Sequence, residues 1–363
     1  LSADDLYHFV QALKEKGINT IAGDFFYNSD VIPEFSMIDP SQQPQDSFNP
    51  GFSGLNLNNN KVLFSWLKKE SGYDLKLEAR SVRTKVPVSS VSIVEQRRGK
   101  AVFEYSMQKK KRLEKWSVSR KILGKKGARW LPVRLSSTFT ASVLHQMLEE
   151  NDIVASRPIR SRKKASNMTL LFNHRSESLK LILKGMLDRS TNVTAEIIGI
   201  FSANYWGFVT PQIASSGFMM SKWFNFVSKT AGNVFYNHSG LSADSRVSSL
   251  DFTKFLSRKE TKDVLLPLLK ERKIYGQQDK KPIKSDVKVL AKTGTMHFTR
   301  GLGGYITVAG VPRAAFAIFS ADINKKHSIE KYQRSNPPGS KNWLNKAKHL
   351  ENSILISWVN NYI

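Results

Sequence analysis

A chain of 363 residues, 40% of them hydrophobic, exceeds the roughly 250 residues at which single cores stop growing, so two or more domains are expected. No apolar run approaches the about 20 residues of a membrane-spanning helix, and the absence of cysteine excludes disulfide scaffolds and thiolate metal sites. The formal charge of +26 favours polyanionic partners, but its densest runs (Arg97-Arg98, Lys109 to Arg112, Lys125-Lys126, Arg160 to Lys164) read as solvated loops and strand faces. No nucleic-acid motif accompanies them, so no nucleic-acid partner is expected.

Leu6, Phe9, Val10 and Leu13 recur at helical spacing behind Asp4 and Asp5, and Gly17 stands where a C-terminal cap belongs. Ile18 to Phe26 reads as a short strand, and the polar, Pro-rich stretch from Pro33 to Pro50 as a long loop. From Asn60 to about Trp130, alternations such as Leu75-Lys76-Leu77-Glu78 and Phe103-Glu104-Tyr105 predict half-buried antiparallel strands. Helical spacing returns between Thr140 and Asn151, and the basic run from Arg157 to Lys164 reads as a domain junction.

Beyond the junction, Leu179, Ile182, Leu183, Met186 and Leu187 form a helical stripe that stops at Ser190-Thr191-Asn192, residue types that favour caps. A second helix is expected from Val193, with Glu196 in its first turn. Three strands (Val287 to Thr295, Gly304 to Ala309, Ala314 to Ser320) and a helix from Trp343 to Val359 complete the pattern. The seven histidines show no metal-binding spacing, so no metal and no cofactor are expected.

Two short motifs carry chemistry. Ser190-Thr191-Asn192 lies in Met186-Leu187-Asp188-Arg189-Ser190-Thr191-Asn192-Val193-Thr194-Ala195-Glu196, and Lys292-Thr293-Gly294-Thr295 is followed by Leu302-Gly303-Gly304-Tyr305. Singly, an S-x-N or a K-T-G is most often a turn. In this order and context they match the second and third motifs of penicillin-recognising serine acyltransferases. Ser239-Gly240-Leu241-Ser242 between them, the run from Asn49 to Asn60, and Trp130-Leu131-Pro132-Val133 extend the match over nearly the whole chain. The sequence resembles the D-alanyl-D-alanine carboxypeptidase/endopeptidase family, the class C low-molecular-mass penicillin-binding proteins. It departs from the family at His238, where an Asp or Asp-Gly normally precedes S-G-L-S.

The resemblance implies an α/β penicillin-binding transpeptidase-like (serine β-lactamase-like) domain over residues 165–363. Before it comes a β-rich inserted domain over residues 1–164, with a subdomain at 60–130. It implies a serine-type D-Ala-D-Ala carboxypeptidase or endopeptidase acting on peptidoglycan stem peptides through an acyl-enzyme, inhibited by β-lactams, located in the periplasm and compatible with peripheral membrane association. Ser190, Asn192 and Lys292 would be catalytic: Ser190 passes a proton to the leaving nitrogen, Asn192 holds the substrate amide, and Lys292 supplies positive charge. Thr293, Gly294 and Thr295 would bind substrate, the two hydroxyls on its carboxylate and the glycine by allowing close backbone approach.

The family's nucleophile sits in an S-x-x-K that opens a helix upstream of the insertion. Five such strings occur, at Ser65, Ser106, Ser161, Ser285 and Ser328, and none falls at a helix start in the required order. The expectation is therefore an N-terminally truncated chain of low solubility whose nucleophile precedes Leu1, or an inactive relative that binds peptidoglycan or another polyanion through its basic surface. A nucleic-acid-binding module rests on charge alone and ranks last.

Overall fold

The computed structural model describes residues 1–96, 102–162, 168–208, 210–274, 286–329 and 337–363. Arg97-Arg98, the end of the basic junction at Lys163-Lys164, and Ser285 lie outside the described residues. The chain folds as two compact units, Leu1–Ser176 with Asn192–Tyr205, and Glu177–Thr191 with Trp206–Ile363.

In the first unit, helix α1 (Ala3–Glu15) starts at a capping box made by Ser2 and Asp5, which satisfies donors a helix end otherwise leaves open. The single strand expected at Ile18 to Phe26 is two short ones, β1 (Thr20–Ile21) and β2 (Phe26–Tyr27). They pair in parallel with β10 (Val154–Ala155) and β11 (Ile159–Arg160). The middle block forms two sheets. One orders β5 (Lys85–Pro87), β4 (Gly72–Arg80), β3 (Lys61–Lys69) and β9 (Lys126–Pro132), all antiparallel.

The other sheet sets β8 (Leu113–Ser119) between β6 (Val91–Gln96) and β7 (Phe103–Gln108), with β6 parallel to β8. That parallel pair departs from the expected all-antiparallel block; period-2 alternation records which face is buried and carries no information on strand direction. In one shared core, α1 and α2 (Ser136–Glu149) contribute Leu6, Val10, Phe139 and Met147 alongside Phe64, Phe103 and Trp116 of the two sheets. Phe103 meets Trp116 edge-on at 6.4 Å.

The second unit holds one antiparallel sheet, β12 (Lys270–Arg272), β13 (Val287–Met296), β14 (Thr299–Val308) and β15 (Val311–Ala321). Helix α9 (Ser340–Tyr362) packs Leu355 and Val359 on Val289, Ala291, Leu302 and Phe316 of the sheet. Helix α6 (Ser249–Ser257) brings Phe252 and Leu256 against Tyr305, Leu290 and Ala315. Since these two sets alternate along β13 and β14, helices cover both sheet faces.

The same unit contains α3 (Leu179–Arg189), α5 (Ile213–Ser228), α7 (Lys259–Leu265) and the short α8 (Ile323–His327), while α4 (Asn192–Tyr205) belongs to the first unit. Among the described residues no helix is long and apolar enough to cross a membrane. Two basic residues expected to be solvated are internal ligands instead: Arg112 and Arg160 both bond Glu34 Oε2, at 2.7 and 2.8 Å. Their burden is a carboxylate that is only 11% exposed, which accounts for their position better than any external polyanion.

Candidate active site

Ser190 ends α3 in the left-handed region, φ 53° and ψ 52°, its backbone N–H bonded to Met186 O. A non-glycine residue held there costs about 1 kcal/mol or more. The reason for the turn is visible in its side chain, whose Oγ accepts a hydrogen bond from Lys292 Nζ. Lys292 lies on β13 and also donates to Thr293 O at 2.6 Å. With Lys292 occupying an acceptor position on Ser190 Oγ, the serine hydroxyl proton is left to donate elsewhere.

Lys292 is held below its ordinary proton affinity, chiefly by burial and then by the positive charges of Arg272 and Arg300. Both arginines were missed in the sequence. Arg272, on β12, donates to Thr293 Oγ1 at 3.2 Å and to Ala291 O at 3.4 Å. Arg300 stands opposite Thr295 in the β13–β14 register and donates to Thr295 Oγ1 at 2.7 Å. Its Nε is fixed by the buried carboxylate of Glu351 on α9, at 2.9 and 3.0 Å. Each threonine hydroxyl therefore accepts from an arginine and keeps its own hydrogen for a ligand, which suits an anion with two acceptor oxygens. The pairing register was the one available signal for Arg300; Arg272 sits on a three-residue strand with no readable period.

β12 pairs with β13 only from Val289 to Ala291. From Lys292 onward that edge of β13 has no strand partner among the described residues, so an extended peptide can add there through backbone hydrogen bonds. Gly294 is exposed, and a Cβ built on it would meet nothing within 4 Å. On β14 the constraint is opposite: a Cβ at Gly304 would lie 2.0 Å from Leu290 O, which explains the glycine of the L-x-G-Y segment.

Asn192, the first residue of α4, belongs to the first unit. Its Nδ2 donates to Phe48 O at 2.8 Å, tying the motif to the irregular stretch between Pro33 and Pro50. That stretch is held by two buried side chains. Arg134 donates to Ser36 O (3.3 Å), Pro44 O (2.6 Å) and Asn49 O, and Asn49 Oδ1 accepts from the backbone N–H of Ile38 (3.0 Å) and Asp39 (2.8 Å). The structure thus joins Ser190, Lys292 and Thr293 through shared hydrogen bonds, holds Thr295 separately on Arg300, leaves Gly294 open, and engages Asn192 on a carbonyl. Glu196, expected in the first turn of its helix, lies beyond that turn and is fully buried, so the helix dipole is not its reason for being there.

Of the rejected S-x-x-K serines, Ser65 is on β3 and Ser106 on β7, both within strands, and Ser328 caps the C-terminus of α8. His238 is half-buried, with Nε2 2.7 Å from Ser216 Oγ and Nδ1 3.3 Å from Met220 Sδ. Burial lowers its pKa to about 4. Among the described residues no cluster of three or more potential metal ligands occurs.

A comparison with curated protein sequences returned no match. Among solved structures the fold is similar to penicillin binding protein 4 (dacB) from Haemophilus influenzae, with a TM-score of 0.66 and 18% identity over 95% of this chain and 79% of that one. It is also similar to the same protein complexed with a novel beta-lactam (CMV), with a TM-score of 0.63 and 17% identity over 95% and 78% of the two chains. These likenesses establish the expected fold, a mixed α/β penicillin-binding-like domain with an additional β-rich domain. The sequence matches the model of the D-Ala-D-Ala carboxypeptidase 3 (S13) family over residues 1–336, and the chain belongs to that family.

Proposed function

We propose that this protein is a serine DD-peptidase that cleaves peptides ending in D-Ala-D-Ala, the carboxypeptidase and endopeptidase chemistry of peptidoglycan stem peptides, through an acyl-enzyme that β-lactams mimic. The observation that carries the reading is the hydrogen bond from the Lys292 ammonium to the Ser190 hydroxyl, set beside two threonine hydroxyls that arginines orient. The terminal carboxylate of the substrate would lie on Thr293 and Thr295 within the field of Lys292, Arg272 and Arg300. The substrate backbone would run along the open edge of β13 past Gly294, where no side chain obstructs it.

Ser190 then relays a proton to the leaving nitrogen as the scissile bond breaks, its own hydrogen being replaced by the one that the acylated hydroxyl gives up, and the neighbouring ammonium makes the Ser190 hydroxyl a better acid. The Thr295 backbone N–H supplies one donor to the oxyanion, and Asn192 receives the substrate amide. These residues bind and protonate; the hydroxyl that accepts the acyl group is a separate requirement. A substrate of this kind is met in the periplasm, where we place the enzyme.

Labelling by a fluorescent penicillin, with protein expressed from its full reading frame, tests the reading. The expected outcome is a covalent band that survives denaturation, reduced about a hundredfold or more by Lys292→Ala. Unlabelled but folded protein would overturn it. Because of the +26 charge, retention of such unlabelled protein on peptidoglycan, reversed by salt, would identify a binding relative that lacks the chemistry.

A further inference from the structure

Helix α5 buries Ser216, Gly217, Ser221, Phe224 and Ser228, which cluster on one side at 100° per residue. The opposite side carries Phe218, Lys222, Trp223 and Phe226. Surface helices ordinarily place polar residues on that side. Here Phe218 is 54%, Trp223 53% and Phe226 83% exposed, and from Phe218 to Phe226 the stripe runs about 12 Å along the helix. The segment leading into α5 adds exposed Trp206 and Phe208.

The sequence through and beside this stripe carries charge of one sign. No Asp or Glu occurs between Glu196 and Asp244. Lys222 lies over the Phe218 ring with its Nζ 5.0 Å from the centroid, and Lys229 follows at the left-handed C-terminus of the helix. Aromatic rings beside lysines, with no acidic group near them in sequence, suit a surface that is apolar just below a layer of negative charge.

We propose that the exposed face of α5 is a peripheral docking surface for an anionic lipid bilayer: Phe218, Trp223 and Phe226 enter the headgroup and upper acyl region, and Lys222 and Lys229 pair with lipid phosphates. The net charge of +26 supplies the long-range attraction, and the aromatic stripe supplies the part that salt does not screen. This surface is independent of the peptidase reading.

The test is co-sedimentation of the full reading-frame protein with vesicles of phosphatidylglycerol and phosphatidylcholine, at low salt and at about 1 M salt, where screening shortens to about 3 Å. Wild type should retain binding at high salt, and the double variant Phe218→Ser, Phe226→Ser should lose it at least about tenfold. Both positions are exposed, so the variant should melt as wild type does. Brominated acyl chains should quench tryptophan emission, and Trp223→Phe should remove that quenched component from the protein's seven tryptophans. The proposal is overturned if binding vanishes at high salt in wild type, if the variants bind equally, or if Trp223 stays unquenched. A protein dimer that the double variant dissolves, without vesicle binding, would assign the face to a second copy and overturn it as well.

Discussion

The two units enclose ionisable side chains in opposite ways. In the first unit Glu114 and Arg134, 1% and 2% exposed, are packed together. The carboxylate accepts from the backbone N–H of Arg134 and Leu135 at 2.9 to 3.0 Å. The guanidinium spends its donors on three carbonyls of the 36–49 stretch. In the second unit His238 is a half-buried neutral ring against Ser216 and Met220. The first arrangement orders a stretch whose backbone no helix or strand holds. The second fills a turn that regular elements already flank. Around Arg134 the buried charge holds irregular backbone still, whereas the buried pair of Arg300 and Glu351 joins two regular elements, β14 and α9.

The largest expected effect breaks the first arrangement. Arg134→Ala leaves Ser36 O, Pro44 O and Asn49 O without their donor and Glu114 without its counter-charge. Loss of one partner of such a buried pair costs about 3–5 kcal/mol. Urea unfolding should show that loss, and amides from Ile38 to Asn49 should lose their protection from hydrogen exchange. If unfolding free energy changes by less than about 1 kcal/mol, the stretch is held by something else.

The next effect sharpens the contrast through pH. Burial pushes Glu114 up to about 7, against the pull of the backbone N–H groups and Arg134. A carboxyl raised in the folded state binds its proton more tightly there, so its stabilising contribution is full below its ordinary value of 4.5 and is lost as pH rises through about 7. His238 runs the other way. With its pKa lowered from 6.5 to about 4, it contributes stability above 6.5 that is lost as pH falls toward 4. Exchange protection of β8 should therefore weaken from pH 5 to 8 while that of α5 strengthens. Glu114→Gln should flatten the first slope and His238→Asn the second. Slopes of one sign in both units would refute the contrast.

The same division explains what the sequence could show. Periodicity located α1, β13 and α9, because each presents a regular apolar face to a core, and α3, whose apolar stripe is at most half-buried. Ser190 and Lys292 were legible as motifs, and residue type already suggested a cap at Ser190. Arg134 was not legible. Nothing in Trp130-Leu131-Pro132-Val133-Arg134 announces that its side chain would bond carbonyls 85 to 98 residues away in sequence. Arg272 and Glu351 were hidden for the same reason, since a polar residue's partner is set by tertiary structure. The aromatic face of α5 was missed because an apolar residue on a helix is read as core by default, and only exposure separates the two cases.

The smallest expected effect lies at the surface of the second unit. Ser248 caps α6 by accepting from Asp251 N at 3.0 Å, and Asp251 sits in the first turn, where the helix dipole favours an acid. Ser248→Ala should cost about 1 kcal/mol without altering either pH slope, because water can replace the lost acceptor at an exposed helix end. Arg134 has no such substitute, buried as it is among carbonyls. If the cap costs as much as the buried guanidinium, then solvent access is not what separates the two kinds of hydrogen bond in this chain, and the comparison between its units has to be drawn on other grounds.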